Sequence, residues 1–191
     1  TVLIEGVSGS GKSSSFAEIP AEMQKYVLFL NAEGKELPFS HDMCEFKISD
    51  PYQVHAAMQR IIEGKPFKHK NGEEIHPKLV ALDSFTFLMD QFVALYVNTS
   101  DDTRGAWGDY ATFIRTTMLD KVAKLAIPFI ATTHILSSDD MENMEKVSRA
   151  AIQGSIGKGN GLESYFTTVV YAKQLRMRDI EPFLAEATML T

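Results

Sequence analysis

Short apolar runs alternate with longer amphipathic segments along most of this 191-residue chain. The runs are continuously hydrophobic, which is typical of strands that are covered on both faces of a parallel sheet. Those of strand length occupy residues 2–4, 26–30, 79–82, 128–133 and 166–172. Because strands alternate with helices, the pattern predicts an α/β fold with a mostly parallel central sheet and helices on both faces.

Three of the intervening segments show the apolar face of a helix, with hydrophobic residues every three or four positions. The first follows Asp50, which suits an N-cap, and Pro51, which suits a first turn. Trp107 is the first apolar residue of the third segment, so we assign its ring to the core rather than to an exposed stacking surface. The apolar positions are Val54, Ala57, Met58, Ile61 and Ile62 in the first segment, Phe85, Leu88, Met89, Phe92 and Tyr96 in the second, and Trp107, Tyr110, Ile114, Met118, Val122 and Leu125 in the third.

Two segments depart from this pattern. Residues 64–78 carry an Asn71-Gly72 pair between short polar arms and predict a small hairpin insertion. Residues 136–163 form a long connection, for which we predict one short helix near residues 139–149 and a glycine-rich end. A connection of this length inside a domain is usually functional or mobile.

Composition and charge narrow the class of protein. With 45% hydrophobic and 23% charged residues, the sequence predicts a single globular domain over residues 1–191. The sequence does not begin with methionine, so we expect the native protein to extend past one or both ends. The only cysteine, Cys44, excludes an internal disulfide and fits a reducing, cytoplasmic setting. No apolar run approaches the roughly 20 residues of a membrane span, so we expect no membrane partner. The net charge of −6 argues against coating nucleic acid by bulk charge and leaves room for a local basic strip.

Residues 6–14, GVSGSGKSS, fit the phosphate-binding pattern G-x-x-x-x-G-K-[ST], between the first predicted strand and a predicted helix. Glycines let the backbone curl so that its N–H groups point at one phosphate, and the N-terminus of the helix adds positive charge. Lys12 would reach the β- and γ-phosphates, Ser13 would bind Mg²⁺, and Ser14 would reach the α-phosphate. The predicted nucleotide-binding residues are Gly6, Val7, Ser8, Gly9, Ser10, Gly11, Lys12, Ser13 and Ser14.

Three more polar residues follow predicted strands, and parallel strands end at the same edge of a sheet. Asp83 suits a Walker B carboxylate, which holds Mg²⁺ directly or through water, and it could also cap the next helix. His134 would arrive near a γ-phosphate, although a histidine at a strand end can also be a satisfied structural group. Glu33 could orient and deprotonate the attacking water, and the alternative is a solvated turn beside Gly34. Together these residues predict the hydrolysis of a nucleoside triphosphate, with ATP and Mg²⁺ as cofactors.

In this order the motifs resemble those of the RecA-like ATPases, with P-loop, catalytic glutamate, Walker B strand and polar-tipped strand spread over residues 1–185. In that family the strand after the phosphate loop ends in D-A-E or D-T-E-G, whose glutamate is the catalytic base, and residues 31–34 read NAEG here. The segments NAEGK-LPF and WGDY are most similar to compact phage-encoded RecA-core ATPases linked to single-strand annealing and recombination. The resemblance gives Lys12, Glu33 and His134 catalytic roles, although TTH at 132–134 replaces the asparagine or glutamine sensor of bacterial RecA.

The same resemblance implies a DNA-dependent ATPase that acts on single-stranded DNA and assembles into rings or filaments in the cytoplasm, the host's if the protein is phage-encoded. The family's two DNA-binding loops would correspond to residues 98–108 and 136–163. Candidate DNA contacts in the second loop are Lys146, Arg149 and Lys158. Acidic residues outnumber these cations, so the alternative is a mobile loop without DNA contact.

Near the C-terminus, the resemblance also implies a cation that crosses to the γ-phosphate of the neighbouring subunit. Lys173, Arg176 and Arg178 are the candidates, and a cation in this role is worth about 10³–10⁵ in rate. The alternative is an ordinary solvated basic hairpin.

Two other functions remain open from the sequence. The phosphate loop is also similar to that of small-molecule kinases such as the gluconate kinases, but those need an arginine-rich lid, and the long connection holds only Arg149. A nucleotide-switched motor or interaction protein without recombinase activity would share the motifs named so far. The remaining histidines, at 41, 55, 69 and 76, have no partners at metal-binding spacing, so we assign them to structure or surface.

Overall fold

The computed structural model describes residues 1–140, 145–154, 161–175 and 180. Its strands in chain order are β1 (Val2–Glu5), β2 (Val27–Asn31), β3 (Cys44–Lys47), β4 (Phe67–Lys68), β5 (Glu74–Ile75), β6 (Leu79–Asp83), β7 (Phe129–Thr133), β8 (Ile135–Asp140), β9 (Glu145–Ala150) and β10 (Thr168–Tyr171). Six of these described strands form one all-parallel central sheet in the order β10-β1-β7-β6-β2-β3. The predicted α/β fold with a parallel central sheet is therefore confirmed.

Helices flank this sheet. They are α1 (Ala21–Gln24), α2 (Tyr52–Ile62), α3 (Phe85–Phe92) and α4 (Thr103–Arg115), with α3 running on into the π-helical segment Val93–Val97, α4 running on into Thr116–Lys121 and Val122–Lys124, and short 3₁₀ helices at Ser13–Glu18 and Glu163–Tyr165. The three predicted amphipathic segments all form helices. None of the helices in the described ranges is long and apolar enough to span a membrane.

Strand β2 illustrates how the sheet is covered, because all five of its residues are buried. Val27 and Phe29 pack on one face of the sheet, against Phe16 from the first 3₁₀ helix. Leu28 and Leu30 point to the other face and join the larger cluster that includes α2, α3 and α4. Full burial of an apolar side chain of this size stabilises the fold by about 1.5–3 kcal/mol. Continuous hydrophobicity is therefore what this strand requires.

Two smaller predictions are also confirmed. Trp107 packs against the larger core cluster, with its ring centroid 5.2 Å from that of Tyr110. The predicted insertion forms a two-stranded antiparallel hairpin of β4 and β5. In its turn Gly72 has a φ of +89°, which favours glycine, and Asn71 Oδ1 accepts a hydrogen bond from the amide of Glu73 (2.9 Å).

The segment after the phosphate loop corrects one expectation. Instead of a full α-helix, Ser13–Glu18 is a six-residue 3₁₀ helix, and Pro20 separates it from the single turn of α1. Three consecutive serines are weak helix formers, and proline removes a main-chain donor. No long helix dipole therefore follows the loop in this part of the described chain, and phosphate binding would depend on the loop's own N–H groups and Lys12.

The long connection corrects a second expectation. The predicted helix near residues 139–149 is wrong, because β8 and β9 pair as an antiparallel hairpin in which Ile135 lies opposite Ala150. Residues 137–140, SSDD, have low helix propensity, since short polar side chains compete for main-chain hydrogen bonds. The hairpin starts directly after His134, so its base lies at the carboxyl end of β7.

Candidate active site

The loop between β1 and the first 3₁₀ helix needs glycine at three positions. Gly9 and Gly11 have φ values of +75° and +94°, in the left-handed region that favours glycine. At Gly6 the conformation is ordinary, but a Cβ atom would collide with the Ser10 hydroxyl and come within 2.5 Å of the Ala172 carbonyl oxygen. The loop can therefore adopt this tight curve only with its glycines, as the sequence pattern predicts.

Lys12 lies at the centre of this curve. Its side chain is 5% exposed, and Nζ donates hydrogen bonds to the carbonyl oxygens of Gly6 and Val7, both at 2.9 Å. Burial lowers the pKa of Lys12, and the negative charges of Glu33 and Asp83 oppose that shift. An ammonium group has three N–H donors, so this site presents a buried cation that is held by neutral carbonyl groups and faced by two acids.

Asp83 ends β6 next to this lysine. It is buried, and its Oδ1 accepts a hydrogen bond from Thr132 Oγ1 on β7. Burial raises the pKa of Asp83, while hydrogen bonds from Thr132 and Ser13 lower it. The alternative role as a helix cap is wrong, because the N-cap of α3 is Ser84, whose hydroxyl accepts from the amide of Phe87 (3.4 Å).

The main chain fixes Glu33 against the end of β6. The amides of Ala32 and Glu33 both donate to the carbonyl oxygen of Asp83, at 2.7 and 3.2 Å. Asn31 shapes the turn that follows, because its Oδ1 accepts from the amide of Gly34 (2.9 Å) and its Nδ2 donates to the Lys35 carbonyl (2.7 Å). The position of Glu33 is thus set by two adjacent strands and an Asx-type turn.

The Glu33 carboxylate lies between two cationic or potentially cationic groups. Its Oε1 is 3.3 Å from Nε2 of His134, and its Oε2 is 3.4 Å from Nζ of Lys35. The side chain of Glu33 is 14% exposed, whereas that of Lys35 is 70% exposed. A largely covered carboxylate with two partners argues against the solvated-turn alternative.

His134 is positioned by contacts on three sides. Its amide donates to Thr86 Oγ1 (3.0 Å), and its carbonyl oxygen accepts from the amide of Ala151 (2.7 Å) at the far end of the hairpin. Its ring meets that of Phe87 edge-on, with centroids 5.6 Å apart. These contacts orient the ring toward Glu33, so the structural and the functional interpretations of His134 are compatible.

These side chains line one cleft of about 250 Å³ at the carboxyl ends of β1, β7, β6 and β2. The loop contributes Ser8, Gly9, Gly11, Lys12, Ser13 and Ser14 to this cleft, and Asn31, Glu33, Lys35, Asp83 and His134 line it as well. Val7 and Ser10, also predicted to bind nucleotide, line a separate cavity of about 440 Å³. Gly6 contributes its carbonyl oxygen, which accepts from Lys12.

The donor set suits a phosphorylated ligand with a divalent cation. The hydroxyl of Ser13 and the carboxylate of Asp83 are neighbours, and hard oxygen ligands of this kind are what Mg²⁺ prefers. Consecutive N–H groups in a glycine-containing loop suit phosphate oxygens. The sequence interpretation missed Asn31, Lys35 and Thr132, although Lys35 follows Glu33 by two positions and so could have been considered.

The cations that the sequence predicts to contact DNA or a neighbouring subunit are not among the described residues that line this cleft. Arg149 is exposed on β9, and Lys173 is exposed and lines the separate cavity. Lys146 belongs to β9, where its main chain lies opposite Asp139. Lys158, Arg176 and Arg178 lie outside the described residues.

Two of the other four histidines, His55 and His69, make contacts that fit a structural role. His55 stacks on the ring of Phe113, with centroids 4.4 Å apart, and its Nε2 lies 2.6 Å from Thr117 Oγ1. His69 is buried, and its Nε2 lies 3.0 Å from the carbonyl oxygen of Asp42. Among the residues that the structure describes, no three acidic, histidine or cysteine side chains form a metal-binding group.

Comparison with known proteins gives no family for this chain. It matches no protein-family model, and no curated protein is significantly similar to it in sequence.

Proposed function

We propose that this protein is a RecA-type ATPase that hydrolyses ATP with Mg²⁺ and acts on single-stranded DNA in recombination, annealing or repair. One observation carries the proposal: the four adjacent strands β1, β7, β6 and β2 bring Lys12, His134, Asp83 and Glu33 to a single cleft. Each of these residue types suits a different requirement of phosphoryl transfer to water.

Binding would use the loop. Its N–H groups and the Lys12 ammonium would hold the β- and γ-phosphates, with phosphate oxygens replacing the carbonyl oxygens of Gly6 and Val7 as acceptors. Ser13 and Asp83 would hold Mg²⁺, which supplies neutralisation of the phosphate charge. The hydrogen bond from Thr132 would keep Asp83 oriented toward Ser13.

Hydrolysis would use Glu33. Its carboxylate would orient a water molecule and accept a proton from it as the new oxygen–phosphorus bond forms and ADP leaves. His134 contacts the same carboxylate at 3.3 Å and would hold it in position. Lys35 lies 3.4 Å from Glu33, so the same chain supplies a cation at this side of the cleft. The sequence predicts such a cation only from a neighbouring subunit.

Action on DNA and self-assembly rest on the resemblance to the RecA-like ATPases and on the hairpin of β8 and β9. The hairpin continues directly from His134 and carries the exposed Arg149. A change at the γ-phosphate that displaced His134 would therefore also displace the base of the hairpin. Lys173 is exposed and free to meet a neighbouring subunit.

The test is phosphate release from ATP with Mg²⁺, measured with and without single-stranded DNA and then with small hydroxyl compounds as acceptors. We expect turnover that single-stranded DNA stimulates and that Lys12→Ala abolishes. Turnover that ignores DNA would favour a nucleotide-switched protein, and transfer to a hydroxyl acceptor would favour a kinase. Lack of nucleotide binding by the intact protein would overturn the proposal at its first step.

A further inference from the structure

Glu5 is a fully buried acid at the root of the phosphate loop. It is the last residue of β1 and comes directly before Gly6, and it is 0% exposed. Among the described residues, neither of its carboxylate oxygens has a hydrogen-bond partner. A buried carboxylate without a partner is strongly unfavourable when it is charged, so Glu5 requires either a positive charge or a proton.

The nearest acid makes this requirement stronger. Glu163, from the 3₁₀ helix Glu163–Tyr165, interacts with Glu5, and burial together with the negative charge of Glu163 raises the pKa of Glu5 to about 7. Glu163 Oε1 accepts a hydrogen bond from the amide of Ala150 (2.7 Å), and its Oε2 has no partner in the described part of the chain. Two adjacent carboxyl groups in such a setting cannot both be charged without a large cost.

The third polar group at Glu5 is the hydroxyl of Tyr171 on β10, which opposes the rise in the pKa of Glu5. By distance and angle, the single O–H of Tyr171 donates to the carbonyl oxygen of Ser148 on β9 (3.0 Å) and not to Glu5. Within the described ranges, no lysine, arginine or histidine acts on Glu5. A proton is therefore the positive charge that fits this site.

We propose that Glu5 and Glu163 share one proton and so form a proton-binding site that links the phosphate loop to the base of the hairpin formed by β8 and β9. In the protonated state Glu5 donates to the Glu163 carboxylate, which keeps its hydrogen bond from Ala150. Loss of the proton leaves two carboxylates facing each other. Their repulsion displaces Glu163 from Ala150 and places a negative charge directly before the loop.

Trp107 provides a built-in reporter for this displacement. It is the only tryptophan in the chain, and a Cβ atom on Gly154 would lie 3.3 Å from its ring. Gly154 follows Ala150 by four residues, so a shift at the base of the hairpin changes the surroundings of the indole. Its emission can be followed without any added label.

In the intact chain we expect Trp107 emission to change with a midpoint near pH 7. Glu5→Gln keeps the shape and a donor for Glu163, and it should remove the transition. Glu163→Gln keeps an acceptor for Ala150 but removes the charge, and it should move the midpoint to lower pH. Glu18→Gln serves as the matched control, because Glu18 is an exposed glutamate at the end of the 3₁₀ helix Ser13–Glu18, and it should leave the transition in place.

Two measurements on the unmodified sequence keep the proposal testable if a variant does not fold. With glutamate labelled at its carboxyl carbon, NMR should show one resonance that titrates near pH 7. Because the pKa rises from 4.5 in a free glutamate to about 7 in the fold, the contribution of Glu5 to the folding equilibrium constant should fall about 300-fold as the pH rises through this range.

Three results would overturn the proposal. The first is an NMR titration in which no glutamate titrates above about pH 6, and the second is a Trp107 emission change that Glu5→Gln leaves unchanged. The third is a change in Trp107 emission at constant pH when Na⁺ or K⁺ is replaced by a bulky organic cation. The last would identify a metal ion rather than a proton as the bound charge. None of these measurements involves a nucleotide, so their outcome is independent of the ATPase assignment.

Discussion

Replacement of Glu33 by glutamine tests the central step of the proposed reaction. The amide has the shape of the carboxylate but cannot accept a proton from water at neutral pH. The turn should survive the change, because the contacts that fix residue 33 are main-chain hydrogen bonds to Asp83 and the side chain of Asn31. We therefore expect Glu33→Gln to fold normally and to bind ATP.

The expected size of the effect differs between binding and turnover. Loss of a general base lowers turnover by about 10²–10⁴, which corresponds to about 3–5 kcal/mol in the activation free energy. The contact between Glu33 and Lys35 involves a lysine that is 70% exposed, and pairs of this kind contribute about 0–1 kcal/mol. The substitution also removes a negative charge that faces Lys12, so ATP affinity should stay level or rise, by less than about five-fold.

Glu36→Gln is the matched control, because Glu36 is an exposed acid that lines the same cleft three residues later. Phosphate release under saturating ATP gives the turnover number, and calorimetry on the same preparations gives the affinity. Glu33→Gln should lose turnover at nearly unchanged affinity, and Glu36→Gln should lose neither. Glu33 is not the general base if Glu33→Gln keeps turnover within about three-fold of the original chain, or if the two variants lose turnover equally.

Three further substitutions test the other roles. Lys12→Ala should abolish ATP binding, since the phosphates lose their buried cation, and unchanged affinity by calorimetry would contradict the phosphate-loop assignment. Asp83→Asn should weaken ATP binding more with Mg²⁺ than without it, because the amide is a poorer metal ligand, and equal losses under both conditions would exclude a metal-binding role. His134→Gln should lower turnover by less than Glu33→Gln does, because it removes a contact that positions Glu33 rather than the base itself, and an equal loss in single-turnover assays would make His134 directly catalytic.

The apolar runs were sufficient to predict the strands that carry the site, because a strand covered on both faces has a distinctive continuous pattern. β3 escapes this pattern. It reads Cys44-Glu45-Phe46-Lys47, lies at an edge of the sheet and buries only its first residue fully. An edge strand has one neighbour in the sheet and can keep polar side chains in solvent, so it leaves little signal in hydrophobicity.

The hairpin of β8 and β9 could not be predicted for a different reason. Its main-chain pairing, with Leu136 opposite Arg149, joins residues thirteen positions apart. Neither strand is apolar enough to predict a buried element, and Leu136 is exposed. Periodicity records which side chains are buried, so it gives little signal for the main-chain pairing of two strands that are mostly polar in sequence.

The residues that support the site, Thr132 and Asn31, were not predicted for a third reason. Their roles follow from the groups that they contact and not from a hydrophobic pattern. Thr132 matters because β7 lies beside β6, so that its hydroxyl reaches Asp83. Asn31 matters because it closes the turn that presents Glu33. The role of Thr132 depends on strand order, which the sequence motifs do not state, whereas the role of Asn31 is a local contact with the amide three residues later.

The register between β2 and β6 ties the proposed base to the proposed metal ligand. Asn31 lies opposite Asp83, and the Asp83 carbonyl oxygen accepts hydrogen bonds from the next two amides, those of Ala32 and Glu33. The relative position of the two residues' main chains is therefore set by the hydrogen bonds between adjacent strands. A change in either side chain leaves this frame intact, which is why Glu33→Gln and Asp83→Asn should report separately on proton transfer and on metal binding. A substitution that displaced the paired main chains of β2 and β6 would impair proton transfer and metal binding together. Measuring both properties for each variant therefore separates loss of a side-chain group from displacement of the strands.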